Sequence, residues 1–120
     1  MNKFKDLLVW QKSIELATGV YNLTNELPAE EKFGLISQIR RCVVSISSNI
    51  AEGAGRISKN DFKHFLSIAL GSSYELETQL IIANNLYPFE KIKLEQALSQ
   101  LEEIQKMIAG LQKSLQTLNT

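Results

Sequence analysis

Residues 37–56 read SQIRRCVVSISSNIAEGAGR, and this run decides the fold. Ile36, Ile39, Val43, Ile46 and Ile50 step by three and four, the seam of a packed helix. Off the seam the pattern is unusual. No residue in 42–51 is charged; the outward positions hold Ser45, Ser47, Ser48, Asn49 and small or apolar groups. A helix with one face in water carries Lys and Glu there. This helix expects protein on most sides.

The segments around it read as three more helices. In the first, expected over about 6–27, Leu7, Trp10, Ile14, Ala17 and Tyr21 form one stripe, and Leu16, Val20, Leu23 and Leu27 form a second. Two stripes make an apolar face wider than a single neighbour covers. Gly19, costly inside a helix, suggests a close backbone approach. Leu27-Pro28 ends the helix, and Pro28 followed by Glu30 and Glu31 suits the first turn of a second helix, over about 29–52. Gly53-Ala54-Gly55 has the composition of a left-handed cap. Ser58 is a good N-cap, with Asp61 three residues on, for a third helix over about 59–84. That helix has its seam at Phe62, Leu66, Ala69, Ser73, Leu76, Leu80 and Ala83, and small residues at 69 and 71–73 suggest a tight crossing. It also lacks charge over 65–74, as the chain does over 78–89. The turn at 84–88 precedes a fourth helix, about 90–118, whose heptad stripe is Leu94, Ala97, Leu101, Ile104, Ile108, Leu111, Leu115 and Leu118. Four helices with short connections predict an all-α, antiparallel up-down-up-down four-helix bundle in one domain over residues 1–120.

Composition narrows function more than it names it. Thirteen Lys and Arg balance thirteen Asp and Glu, so the net charge is zero and a uniformly basic nucleic-acid binder is excluded, though a local patch is not. One cysteine, Cys42, rules out a disulfide framework and reads as a buried thiol. There is no secretory signal pattern and no apolar run approaching about 20 residues, so a cytoplasmic chain without a membrane span is expected.

No catalytic set stands out. Asp61 and the single His64 share the spacing of half a di-metal site, but the second motif and the carboxylates on all four helices are missing. Cys42 has no base beside it in its segment. No enzyme activity, metal or cofactor is expected. Three further sets of residues carry the remaining expectations. A hairpin about Gly55 brings Arg40 and Arg41 near Glu75 and Glu77, as a partly buried ion pair or, alternatively, leaves the arginines facing phosphates. Arg56, Lys59 and Lys63 surround the start of the third helix, whose backbone N–H groups favour anions. The nucleic-acid candidates are therefore Arg40, Arg41, Arg56, Lys59 and Lys63. The oligomer-interface candidates are Cys42, Ser45, Ser48, Asn49 and Ser72, which lie on the uncharged flanks.

The runs FKDLLVWQKSIELATGVYNLT, PAEEKFGL, SQIRRCVVSISSNIAEGAGR and FLSIALGSSYELETQL together carry a resemblance. The chain resembles the small bacterial four-helix-bundle proteins encoded in intervening sequences of large-subunit ribosomal RNA genes. The accessory variability protein of diversity-generating retroelements is similar. The resemblance implies a ring-shaped homopentamer without known catalysis, and a partner that is RNA, DNA or a protein such as a reverse transcriptase. This chain departs from the retroelement relative in having no net positive charge.

Overall fold

The computed structural model describes residues 3–117. A 3-10 turn at Phe4–Asp6 leads into α1 (Leu8–Thr24), and a second at Ala29–Glu31 precedes α2 (Leu35–Ala54). Helices α3 (Lys59–Leu86) and α4 (Lys91–Thr117) follow. Each helix packs on two others around a square, α1 on α2, α2 on α3, α3 on α4 and α4 on α1, in a body of 49 × 23 × 20 Å. Cross-helix contacts run antiparallel throughout: Arg40 reaches Thr24, Gly53 meets Phe62 and Phe65, Gln105 meets Glu77, and Lys12 pairs with Glu103. The fold is the antiparallel four-helix bundle that the periodicities predict.

The core is built from the expected seams. Ile39, Val43, Ile46 and Ile50 of α2 are fully buried against Leu66, Ala69, Leu76, Leu80 and Ala83 of α3. Leu101, Ile104 and Ile108 complete it from α4. Each such Leu or Ile contributes about 1.5–3 kcal/mol by leaving water. The second stripe, Leu16, Val20 and Leu23 on α1 with Leu27 just beyond it, joins Val9 and Ser13 in the core. The first stripe is left at the margin, with Ile14 and Tyr21 exposed.

Three local expectations are corrected. The second helix does not begin at Pro28. Gly34 (φ −110°, ψ −111°) interrupts the backbone, and α2 starts at Leu35. Glu31 explains the interruption: its Oε1 accepts from the Leu35 N–H at 3.1 Å, neutralising part of the helix N-terminus, while its Oε2 accepts from the Tyr87 hydroxyl at 2.9 Å. A Cβ at Gly34 would lie 2.6 Å from that first carboxylate oxygen. Nor is Gly53-Ala54-Gly55 a left-handed cap, since no described residue has positive φ and Gly55 sits at −83°, −5°. The close approach is at Gly53, not Gly19. A Cβ at Gly53 would lie 2.7 Å from Phe65 Cβ, whereas one at Gly19 would meet only Gln100 Oε1, at 4.0 Å. The Ser58 N-cap forms as expected, accepting from the Asp61 N–H at 3.0 Å.

Candidate interaction surfaces

The α2–α3 seam is close because its facing residues are small. The Cys42 thiol donates to the Ser72 carbonyl at 3.1 Å and lies 3.6 Å from Glu75 Oε1. The Ser45 and Ser72 hydroxyls share a hydrogen bond of 3.0 Å, and Asn49 Nδ2 donates back to the Ser45 carbonyl and hydroxyl at 2.8 and 3.0 Å. Burial, and then the Glu75 carboxylate beside it, push the Cys42 thiol up to about 12. Cys42 is therefore a packed, protonated thiol at neutral pH.

The five interface candidates are thus divided. Cys42 and Ser72 are buried within the chain and Ser45 and Asn49 are half-buried, all in the seam. Ser48 stands outside it, exposed. The solvent-facing groups that composition did not single out are apolar: Val44 on α2 is 43% exposed, and Ile68, Ile81 and Ile82 on α3 are similarly open. Their signal in the sequence was the absence of charge around them. An open groove of about 160 Å³ lies between the two helices, lined by Gln38, Arg41, Cys42, Ser45, Ser72 and Glu75.

The expected ion pair between Arg40 or Arg41 and Glu75 or Glu77 does not form; among the described residues none of the four is ion-paired. Arg40 turns the other way, toward α1. Its Nε donates to Thr24 Oγ1 at 2.9 Å and its Nη2 to Asn25 Oδ1 at 3.0 Å, with the guanidinium 4.6 Å from the Tyr21 ring. A cation there suits the negative end of α1. Glu77 accepts from Gln105 Nε2 of α4 at 2.9 Å. The helical phase explains the miss: adjacent residues are about 100° apart, so Arg40 and Arg41 address different neighbours. Arg41 stays on its own helix, donating to Ser37 Oγ at 3.4 Å.

The nucleic-acid candidates also fall into two places. Arg40 and Arg41 lie about 20 Å along α2 from its end at Ala54, at about 1.5 Å per residue, and Arg56 follows beyond that end. Arg56 is bound to Glu52 at 2.9 Å and stacks over Phe65 at 4.8 Å, beside Lys59 and Lys63 at the start of α3. The antiparallel topology brings further charge to that end. Lys3 and Lys5 precede α1, and Lys113 follows Gln112, whose Nε2 donates to the Lys63 carbonyl and to Ser67 Oγ. Among the described residues, six cations (Lys3, Lys5, Arg56, Lys59, Lys63, Lys113) thus share this end with three carboxylates (Asp6, Glu52, Asp61). Since the whole chain is neutral, the rest of the bundle is net acidic. A zero sum conceals a charge polarity along the long axis, which linear reading missed because the contributing segments are far apart in sequence.

His64 is exposed, its ring edge-on to Phe65 at 5.6 Å. Among the described residues no group of three His, Cys, Asp or Glu side chains is placed to hold a metal, and no helix is long and apolar enough to cross a membrane.

Comparison with known proteins bears on this geometry. A search of curated proteins returns no match. Among solved structures, the chain is similar to a protein of unknown function from the S23 ribosomal protein family of Bacteroides thetaiotaomicron, at 32% identity and a TM-score of 0.80. That similarity covers 88% of this chain and 99% of the other. The family model described as 23S rRNA-intervening sequence protein matches residues 5–110. With the bundle, its seams and this match in hand, the chain belongs to the 23S rRNA-intervening sequence protein family.

Proposed function

We propose that this protein is a non-catalytic accessory protein that assembles with copies of itself, as a homopentamer, and associates with RNA or DNA through the basic end of its bundle. The observation carrying the nucleic-acid part is the gathering of Arg56, Lys59 and Lys63 with Lys3, Lys5 and Lys113 at one end of a neutral chain. One such end is a weak site. Copies arranged with their long axes parallel place every basic end on one face, where weak phosphate contacts add as avidity. The charge-free stretches 42–51 of α2 and 65–74 of α3, with Val44 and Ile68 open to solvent, support the assembly.

Binding of a structured RNA across a salt series tests the reading. Affinity is expected to fall steeply with salt. Arg56→Ala combined with Lys59→Ala should weaken binding and reduce the logarithmic salt slope by about 2, one for each phosphate no longer neutralised. No binding at low salt, or binding indifferent to both substitutions, refutes it.

One observation favours a second reading, a scaffold for another protein. At the opposite end Phe33 is 89% exposed, and Leu86 and Ile92 are also open. A pulldown that returns a specific protein and survives nuclease treatment supports that reading over the first.

A further inference from the structure

The flank shared by α2 and α3 carries two charges that meet no counter-charge among the described residues: Arg41 donates to Ser37 Oγ at 3.4 Å, and Glu75 accepts from the Cys42 thiol at 3.6 Å. Between Glu52 and Lys63 at one end and Glu31 and Lys32 at the other, Arg41 and Glu75 are the charged side chains directed to this face. Arg40 faces α1 and Glu77 faces α4. Arg41 and Glu75 are both exposed, of opposite sign, and border the same groove. Among the described residues neither has an oppositely charged partner within 4.0 Å. Around them lie Val44, Ser45, Ser48, Asn49, Ile68, and Gly71, at which an added Cβ would meet nothing within 4 Å.

A flank of this kind constrains its occupant. Covering it removes both charges from water, which is costly unless each finds a counter-charge. A second copy of the chain carries the complement by construction: its Glu75 for this Arg41. Because Arg41 stands on the α2 side of the groove and Glu75 on the α3 side, the contact can repeat in one direction from copy to copy and close a ring. We infer that the α2–α3 flank is a subunit interface whose register is set by an ion pair between Arg41 of one copy and Glu75 of the next. This rests on the self-assembly part of the proposed function and specifies the contact that makes it.

The test is charge reversal followed by mixing, read as mass by multi-angle light scattering on full-length protein. Arg41→Glu and Glu75→Arg each place like charges across the contact and should weaken self-association at least about thirtyfold. Mixed in equal amounts, the two variants restore opposite charges wherever one meets the other, because the first is acidic at both positions and the second basic at both. Association should then return, fully in an even-numbered ring and short of fully in an odd one, where one contact must join like variants. A pair made within one chain gives the contrary result. Each variant then has two like charges in every chain, and mixing rescues nothing. Reversals that dissociate without rescue, or that leave the wild-type mass intact, overturn the inference while leaving assembly standing. A wild-type chain that is monomeric overturns the self-assembly reading itself. Both sites are exposed, so the variants should fold, as circular dichroism melts will show. Should one not fold, Arg41→Gln and Glu75→Gln repeat the measurement without adding repulsion, and unchanged mass in both again refutes the pair.

Discussion

Replacing Gly53 with alanine adds one methyl group where α2 and α3 approach closely. The new Cβ would lie 2.7 Å from Phe65 Cβ, 3.0 Å from Phe62 Cδ1 and 3.3 Å from the Phe62 carbonyl oxygen. The Phe62 ring can swing aside. Phe65 Cβ and the Phe62 carbonyl cannot, because both are fixed to the α3 backbone. Reaching ordinary van der Waals separation requires the helices to part by roughly 0.7 Å at this end. Alanine is better than glycine in a helix by up to about 1 kcal/mol, and over-packing a fitted seam costs about 1–3 kcal/mol. The strain should win, for a net loss of about 1–2 kcal/mol and a melting temperature lower by about 3–10 °C. Gly110→Ala is the matched control: it lies on the exposed face of α4, an added Cβ meets nothing within 4 Å, and it should gain up to about 1 kcal/mol. Melts of both variants are compared with wild type at one fixed protein concentration, since assembly makes the midpoint concentration-dependent. Gly53→Ala as stable as wild type would refute the reasoning that the two helices already touch there.

The remaining predictions concern groups whose roles the structure assigns. Arg40→Ala removes the bonds to Thr24 and Asn25 that tie down the end of α1; it should cost about 1–2 kcal/mol in a urea melt and leave RNA affinity unchanged. Glu31→Ala unties the start of α2 from Tyr87 and should cost about 1–2 kcal/mol, with the Tyr87 ultraviolet titration shifting down toward its ordinary value, because the hydrogen bond to Glu31 is what raises it. The folded state holds the Cys42 proton up to about 12, against 9.0 ordinarily, and Tyr87 and Lys93 are raised as well. Groups raised on folding stabilise fully below their unfolded values and lose that contribution as pH climbs, so stability should fall from about pH 9 toward 12. Denaturation midpoints across that range measure it. At neutral pH Cys42 should react with a thiol reagent far more slowly than an exposed thiol, and immediate stoichiometric labelling of folded protein would contradict its burial.

The bundle was legible because its seams repeat. Ile39, Val43, Ile46 and Ile50 announce one buried edge, and Leu101, Ile104 and Ile108 another, without help from tertiary structure. Residues whose role depends on a distant partner were not legible. Gly34 gives no sign of its role in the sequence, because the Glu31 carboxylate that occupies the space beside it is placed there only by folding. Gly53 reads as a cap because its true neighbours, Phe62 and Phe65, lie on the next helix. Arg40 and Arg41 are adjacent in sequence and share one expected partner set, yet helical phase sends the first to α1 and leaves the second on the α2–α3 flank. Of the interface candidates, the small polar residues serve the internal seam first, and the apolar Val44 and Ile68 carry the exposed surface. The basic end is the clearest case of a feature visible only after folding, because Lys5, Lys59 and Lys113 come together through topology alone.

The rest depends on the charge-free stretches of α2 and α3, residues 42–51 and 65–74, being covered by other copies of the chain. Sedimentation equilibrium over a wide dilution range tests it most directly. The account predicts a mass that is a multiple of the 13.5 kDa chain, five for a closed ring, persisting to low concentration. A folded species of 13.5 kDa at high concentration, with Val44 and Ile68 open to solvent, would contradict it.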